Sequence, residues 1–394
     1  MTAANGFLAA GAGAGIKPSG GLDLAIVLAE DGPVAAAGVF TRNRAAAAPV
    51  TLSRQRLQIG QAQVVILNSG SANAGTGAEG MADAERITER VAELLGIDSR
   101  LVLMCSTGPI GSRIPVNNVI KAMPDLVNAA LSDLEGSSDS ESWAESVRGG
   151  AAAAEAILTT DSRVKTVVVE GDGFVVGGMA KGAGMLRPDM ATMLCVLTTD
   201  ASVEAPVLAG ALAGSVPVTF NSLNVDGCES TNDSVLLMAS GRGAPAAADE
   251  FGQAVEAACR QLAYEMAADA EGASRVVRLR VSGAPDHESA RRYGRTVADS
   301  GLVRASFYGG DPNWGRILAA LGTCQVEPSE VAIAYEGVRV ARGGIIEPFD
   351  DQKLAKLLTG DFVIDIAVGS GVGQAEIITT DLTPDYVRFN GERS

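Results

Sequence analysis

Between Lys181 and Ala201 the chain reads KGAGMLRPDMATMLCVLTTDA. A loop carrying Gly182, Gly184 and Pro188 runs into an apolar, β-rich stretch from Met193 to Thr199. Such a stretch reads as a buried strand, and the fold has to be built around it. Thr192 stands at the mouth of that strand, directly behind the small residue Ala191. A hydroxyl in that place suits self-cleavage: breaking the Ala191–Thr192 bond makes Thr192 a new N-terminus that carries nucleophile and free amine together. Residue type alone also allows a plain β-branched strand residue.

The 394 residues, 47% of them hydrophobic, provide core for two domains or for one large and one small domain. Aromatics make up only 4% while glycines number 47, so the expected core is Ala, Val, Leu and Ile with many tight loops. A formal charge of -16 with no basic stripe argues against nucleic acid. No apolar run approaches the ~20 residues that span a bilayer, and the N-terminus lacks a signal-peptide pattern, so the expectation is a cytoplasmic protein without a membrane partner. Cys105, Cys195, Cys228, Cys259 and Cys324 lie far apart, without CxxC spacing, and read as buried small hydrophobes rather than metal ligands. His287 is the single histidine, in the polar run DHESARR, and reads as a solvated residue in a helix's first turn. Acid and base chemistry therefore has to come from another group.

Strand-like runs at Leu22 to Ala29, Val34 to Phe40, Gln63 to Asn68 and Arg100 to Cys105 alternate with helical runs at Ala82 to Leu95, Asn117 to Leu126 and Ser142 to Ala156. Val164 to Val169 and Phe174 to Val176 read as a hairpin leading into the Lys181 loop. Beyond Thr199 come a short helix near Val207 to Ala213, a strand at Ser234 to Ala239, and a helix from Asp249 to Ala268 with Phe251, Val255, Leu262 and Met266 on one stripe. Arg275 to Val281, Val331 to Tyr335, Phe362 to Val368 and Ala375 to Thr379 read as strands. Helices are expected at His287 to Asp299, Asn313 to Leu321 and Asp351 to Leu358. The expected class is α/β (α+β), with a main domain at 1–280 and a smaller α/β domain at 281–394. The alanine tracts Ala35 to Ala37, Ala45 to Ala48 and Ala151 to Ala154 show no repeat period and receive no function.

A threonine hydroxyl needs a base. An α-amine titrates near ~7.7–8.0 against ~10.4 for lysine, so the amine freed on Thr192 can take a proton at neutral pH. The run Ala180 to Ala201 resembles the processing segment of the ornithine acetyltransferase family, self-processing enzymes of the cyclic arginine pathway. Further similarity appears in GVFTRN (Gly38 to Asn43), LNSGSANAGTG (Leu67 to Gly77), CSTGPIG (Cys105 to Gly111), TTD (Thr159 to Asp161) and FNSLNVDGCESTNDS (Phe220 to Ser234). It continues through DAEGASR (Asp269 to Arg275), GGDPNWGR (Gly309 to Arg316) and DLTPDYVRFN (Asp381 to Asn390).

The resemblance implies an αββα sandwich of the N-terminal-nucleophile type, split between Ala191 and Thr192 into chains 1–191 and 192–394. It implies Thr192 as nucleophile, and Thr107 with Gly108 as the oxyanion hole, a task that suits a hydroxyl and a backbone N–H fixed before reaction. Thr159, Lys181, Thr192, Glu271, Asn390 and Ser394 would contact substrate. Lys181 would supply the cation that a carboxylate substrate needs in an acidic protein, and Glu271 would meet a cationic amine. The tail FNGERS keeps Asn390 and Ser394 but is one residue short and lacks the family's Tyr, Gly75 stands where Cys is frequent, and Cys228–Glu229 replaces Asp-Thr.

The implied reaction is acetyl transfer from N2-acetylornithine to glutamate through an acetyl-threonine, with no metal or organic cofactor and with acetyl-CoA as a further possible donor. The implied assembly is a heterotetramer of two alpha and two beta chains. Neither GxxxxGK[ST] nor GxGxxG occurs, which argues against a nucleotide site. Two alternatives stand beside acetyl transfer: a self-processing aminopeptidase or amidase that passes its acyl group to water, and a non-catalytic binding protein.

Overall fold

The computed structural model describes residues 1–135, 140–187 and 193–392; Ala191, Thr192 and Ser394 lie outside the described residues. The chain forms two compact units. The first comprises Met1–Gly182, Asp189–Phe220 and Glu229–Met266, and the second Ala183–Pro188, Asn221–Cys228 and Ala267–Ser394.

The first unit stacks two sheets. One has the order β1 (Phe7–Ala12), β2 (Leu24–Ala29), β5 (Val64–Ser69), β6 (Val102–Thr107). The other has the order β4 (Gln61–Ala62), β3 (Val34–Phe40), β11 (Ser234–Ala239), β9 (Leu194–Thr199), β8 (Val175–Lys181), β7 (Lys165–Glu170). Every residue of β2, β5, β6, β9 and β11 is buried. That is why these strands read as continuous apolar runs rather than alternating ones: both faces of each sheet are covered. Between the sheets, Val27, Val65, Leu67, Leu103 and Cys105 meet Met179, Leu194, Val196, Leu236 and Met238.

Helices complete the sandwich outside. Helix α1 (Ala48–Arg56) lies against β6, while α2 (Gly77–Leu95) and α3 (Val116–Glu135) cover the outer face of the first sheet through Ile87, Val91, Val119, Met123 and Leu126. Helix α4 (Ser140–Ala156) sends Ala153, Ala154 and Ala156 into the layer between the sheets. Helix α5 (Ala205–Val218) packs on β3 and β11. Helix α6 (Ala248–Ala268) buries the stripe Phe251, Val255, Leu262 and Met266, and the Phe251 ring meets that of Phe174 at a tilt of 55° with centroids 6.0 Å apart. The layers are therefore αββα.

The second unit is built differently. Its sheet runs β10 (Leu223–Asn224), β17 (Gly373–Thr380), β12 (Val276–Ala284), β16 (Phe362–Val368), β13 (Val331–Tyr335), β14 (Val338–Arg342), β15 (Ile345–Ile346). Here β13 and β16 alternate strictly between buried and half-buried residues, so one face carries the core. That face is covered by α7 (His287–Asp299), α8 (Gly301–Tyr308), α9 (Trp314–Gly322) and α10 (Asp351–Leu357), through Tyr293, Val297, Phe307, Ile317 and Leu354. A last helix, α11 (Pro384–Gly391), starts at Thr383, whose hydroxyl accepts the Tyr386 N–H as its N-cap.

Several expectations change. Strand β8 continues through Gly177 and Gly178 to Lys181 instead of stopping at Val176. The glycines looked like a turn, but a Cβ on Gly178 would sit 2.4 Å from a Leu197 methyl, so they mark close strand approach. The alanines at 45–48 lead into α1, which alternation of small residues did not reveal. Cys105, Cys195 and Cys259 are buried and Cys324 is partly buried, whereas Cys228 is exposed because it lies in irregular chain rather than in a strand or helix. His287 opens α7 as expected, with its ring Nδ1 against the backbone of Gln374.

Candidate active site

The strand registers align one end of the second sheet. Lys181 pairs with Leu194 across β8 and β9, Leu194 with Ser234 across β9 and β11, and Ser234 with Phe40 across β11 and β3. Residue 192 therefore enters the chain two positions ahead of this row. In the first sheet, Thr107 is the last residue of β6, paired with Ser69 of β5.

Lys181 is 2% exposed. A buried ammonium has to spend its three N–H donors on oxygens, and here its Nζ lies 2.6 Å from Thr159 Oγ1, 3.3 Å from Thr107 Oγ1 and 3.5 Å from Asp161 Oδ2. Because the Thr107 oxygen accepts from Lys181, its own O–H hydrogen is directed elsewhere and remains available to a developing oxyanion.

Asp161 anchors this arrangement. Its side chain is fully buried and accepts from Lys165 Nζ at 2.7 Å and from the Gly182 N–H at 2.7 Å. Burial works against its charge, but Lys181, Lys165 and the Gly182 N–H outweigh burial and hold the carboxyl below its usual range, at about 2.

Gly108 follows Thr107 with φ +140°, and a Cβ there would lie 2.5 Å from the Ser71 nitrogen and 2.6 Å from the Gly70 carbonyl carbon. Only glycine fits, because the contact is with backbone that cannot turn aside. Thr107 also bridges to Ser71. The pair expected to form the oxyanion hole is thus fixed by main-chain packing.

Glu271 and Asn390 belong to the second unit. The Glu271 N–H donates to Ala183 O at 2.8 Å, and its carboxyl lies against Gly184, where a Cβ would come within 2.6 Å. The Thr383 hydroxyl donates to Gly272 O, tying the Glu271 turn to the start of α11. Asn390 lies on that helix, exposed, with Nδ2 donating to Tyr386 O at 3.1 Å. Of the residues singled out from sequence, Thr107, Gly108, Thr159 and Lys181 come together in the first unit, while Glu271 and Asn390 neighbour the same helix in the second.

Sequence reading gave no role to Asp161, Lys165 or Asp233. Lys165 carried a usable signal: it shares the inward parity of Val167 in KTVVVE, and a lysine on a core-facing position needs a buried anion, supplied four residues earlier.

The αββα sandwich thus gathers a buried lysine, two threonines and a glycine-fixed turn where β8 and β6 end. The profile of the ArgJ family matches residues 8–394. The chain belongs to the ArgJ family and is an acetyltransferase of arginine biosynthesis. It is 42% identical over 398 residues to the arginine biosynthesis bifunctional protein ArgJ of Thermobifida fusca, covering 100% of this chain and 99% of that one. It is 43% identical over 397 residues to the protein of that name from Streptomyces coelicolor, again covering 100% and 99%. Ornithine acetyltransferase complexed with ornithine, from Mycobacterium tuberculosis, is 45% identical over 48% of this chain and 93% of the solved chain, with a TM-score of 0.43. The amidase and binding-protein alternatives give way to family membership.

Proposed function

We propose that this chain moves the acetyl group of N2-acetylornithine to glutamate by a ping-pong route after cleaving itself between Ala191 and Thr192. The Thr192 hydroxyl attacks the acetyl carbonyl and gives its proton to the Thr192 α-amine. The C–N bond then breaks, the leaving nitrogen takes that proton, and ornithine departs from an acetyl-threonine ester. The α-amine of glutamate attacks the ester, and its proton returns by the same amine to the threonine oxygen. Thr107 and the Gly108 N–H hold the oxyanion in both halves. The polarised Thr159 hydroxyl and Lys181 receive a substrate carboxylate, Glu271 a substrate ammonium, and Asn390 and Ser394 are further substrate contacts. The scheme calls for neither metal nor organic cofactor.

The observation that carries this reading is the Lys181–Thr107–Thr159 cluster, because Lys181 shares a strand row with Leu194, two residues after Thr192. After cleavage, β8 belongs to fragment 1–191 and its neighbour β9 to fragment 192–394, so the ladder between them supports fragments that stay together. Two such pairs make the proposed heterotetramer. Five free cysteines suit the reducing cytoplasm.

The test is denaturing electrophoresis with N-terminal sequencing, combined with acetylglutamate production from N2-acetylornithine or from acetyl-CoA. We expect fragments 1–191 and 192–394, and Thr192→Ala is expected to remain a single chain and to lose at least about a thousandfold in kcat. A wild-type chain that transfers acetyl groups while uncut would overturn the mechanism.

A further inference from the structure

Asp233 sits immediately before β11 and is 0% exposed. One carboxyl oxygen, Oδ1, accepts the Met193 N–H at 2.9 Å. The other, Oδ2, is buried without a hydrogen-bond partner among the described residues. An unpaired carboxyl oxygen in a protein interior is costly, so it calls for an explanation. The surroundings are otherwise satisfied: Asn232 Nδ2 donates to Ala72 O and Ser106 O at 2.6 and 2.8 Å, and the Ser234 N–H donates to Met193 O at 3.2 Å.

Covalent connectivity says which group is near. The Met193 nitrogen is bonded to the carbonyl carbon of residue 192, so the α-nitrogen of Thr192 is three bonds away, at most about 3.7 Å from it. The carboxyl whose Oδ1 holds the Met193 N–H is thereby tied to the residue next to that α-nitrogen, with its second oxygen to spare. Before cleavage this nitrogen is an amide; after cleavage it becomes an amine with up to three hydrogens to donate.

We propose that Asp233 is the positioning residue for the freed α-amine of Thr192, with Oδ1 fixing the peptide after the nucleophile and Oδ2 receiving the amine created by self-cleavage. This rests on the acetyl-threonine reading above and adds to it the group that orients the base. Asp233 touches neither substrate nor the acetyl group; it acts through the amine. Burial pushes the isolated carboxyl well above the usual carboxylate range, with the Met193 N–H, Ser230 and Lys181 pulling it down and Glu229 pushing it up. Carboxyl and amine then share one proton, as an ion pair or as a neutral hydrogen-bonded pair. When the amine accepts the threonine proton, Asp233 stabilises the resulting ammonium.

Asp233→Asn is the informative change, because an amide keeps an oxygen for Met193 but turns an N–H pair toward the amine. We expect kcat for acetyl transfer to fall by about tenfold or more, with KM changed less than about threefold. Removing the negative charge also lowers the amine's affinity for a proton, so the acid limb of the kcat–pH profile should move down by about one pH unit, and Asp233→Glu should recover part of the rate. An unchanged kcat and pH profile in a cleaved Asp233→Asn enzyme would overturn the assignment. Should that variant not fold, pH-dependent chemical labelling of the α-amine of wild-type fragment 192–394 decides: a midpoint above about 8 supports the pairing, and one at or below the ordinary ~7.7 overturns it. Wild-type protein that is never cut removes this proposal together with the acetyl-threonine reading, whereas cut, active wild type with an indifferent Asp233→Asn removes this proposal alone.

Discussion

Two buried aspartates lie near the same row of strands and end in opposite electrostatic states. Asp161 faces two lysines and a backbone N–H, and its carboxyl is held down at about 2. Asp233 faces one backbone N–H at 2.9 Å, a hydroxyl and a more distant Lys181, and burial drives its carboxyl up. Residue type and burial are alike, so the difference comes from the count of nearby cations. One aspartate is a structural counter-ion; the other is left with a free oxygen. The contrast locates where the sandwich is finished and where it still awaits a charge.

The strongest way to break this comparison is to remove the anion from the finished side. Asp161→Asn takes away the buried carboxylate that Lys165 and Lys181 face, and should destabilise the first unit by about 3–5 kcal/mol, read as a lower urea midpoint. A loss below about 1 kcal/mol would mean that water reaches these lysines.

A gentler comparison uses pH, in the Thr192→Ala background where no new amine forms. The Asp161 carboxyl is depressed from 3.8, so its stabilisation of about 2–3 kcal/mol is present above pH 3.8 and is lost as pH falls toward about 2. Asp233 is raised, so the unfolded chain releases a proton that the folded chain keeps, and stability declines as pH rises above 3.8. Denaturation midpoints against pH should show Asp161→Asn flattening the acid-side loss and Asp233→Asn flattening the decline at higher pH. Equal slopes in both variants would erase the distinction.

The smallest expected effect lies in the second unit. A methyl at Gly184 meets only the mobile end of Glu271, at 2.6 Å, so Gly184→Ala should shift that carboxylate without unfolding anything. We expect KM for N2-acetylornithine to rise about threefold, under 1 kcal/mol, with kcat unchanged.

How much of this was legible beforehand followed physical lines. Strands and helices with strong periodicity appeared where expected: Val331–Tyr335, Phe362–Val368 and His287–Asp299 match residue for residue. Helix α1 did not, because its mixture of Ala, Thr, Ser and Arg has little amphipathic contrast and its position is set by tertiary contacts such as Ser53 Oγ with Met104 O at 2.8 Å. Motif resemblance picked out Thr107, Gly108, Thr159 and Lys181, since each is a short-range signature. It could not pick out Asp161 or Asp233 as charged partners, because Lys181 and the Met193 N–H come from distant parts of the chain; only the local Lys165 gave a sign of Asp161. For Lys181 the misreading as a loop residue came from Gly177 and Gly178 before it, which sit within a strand, Gly178 packed close against Leu197, rather than in a turn.

The placement of β9 between β8 and β11 sets an order in time. As the chain leaves the ribosome, β9 can first join only β8, its hairpin neighbour; β11 and Asp233 emerge some forty residues later, which at roughly 5–20 residues per second is a wait of seconds. The start of β9 is thus synthesised well before the strand that lies on its other side. The sheet works as a clock: the β8–β9 pair waits for β11 to complete it.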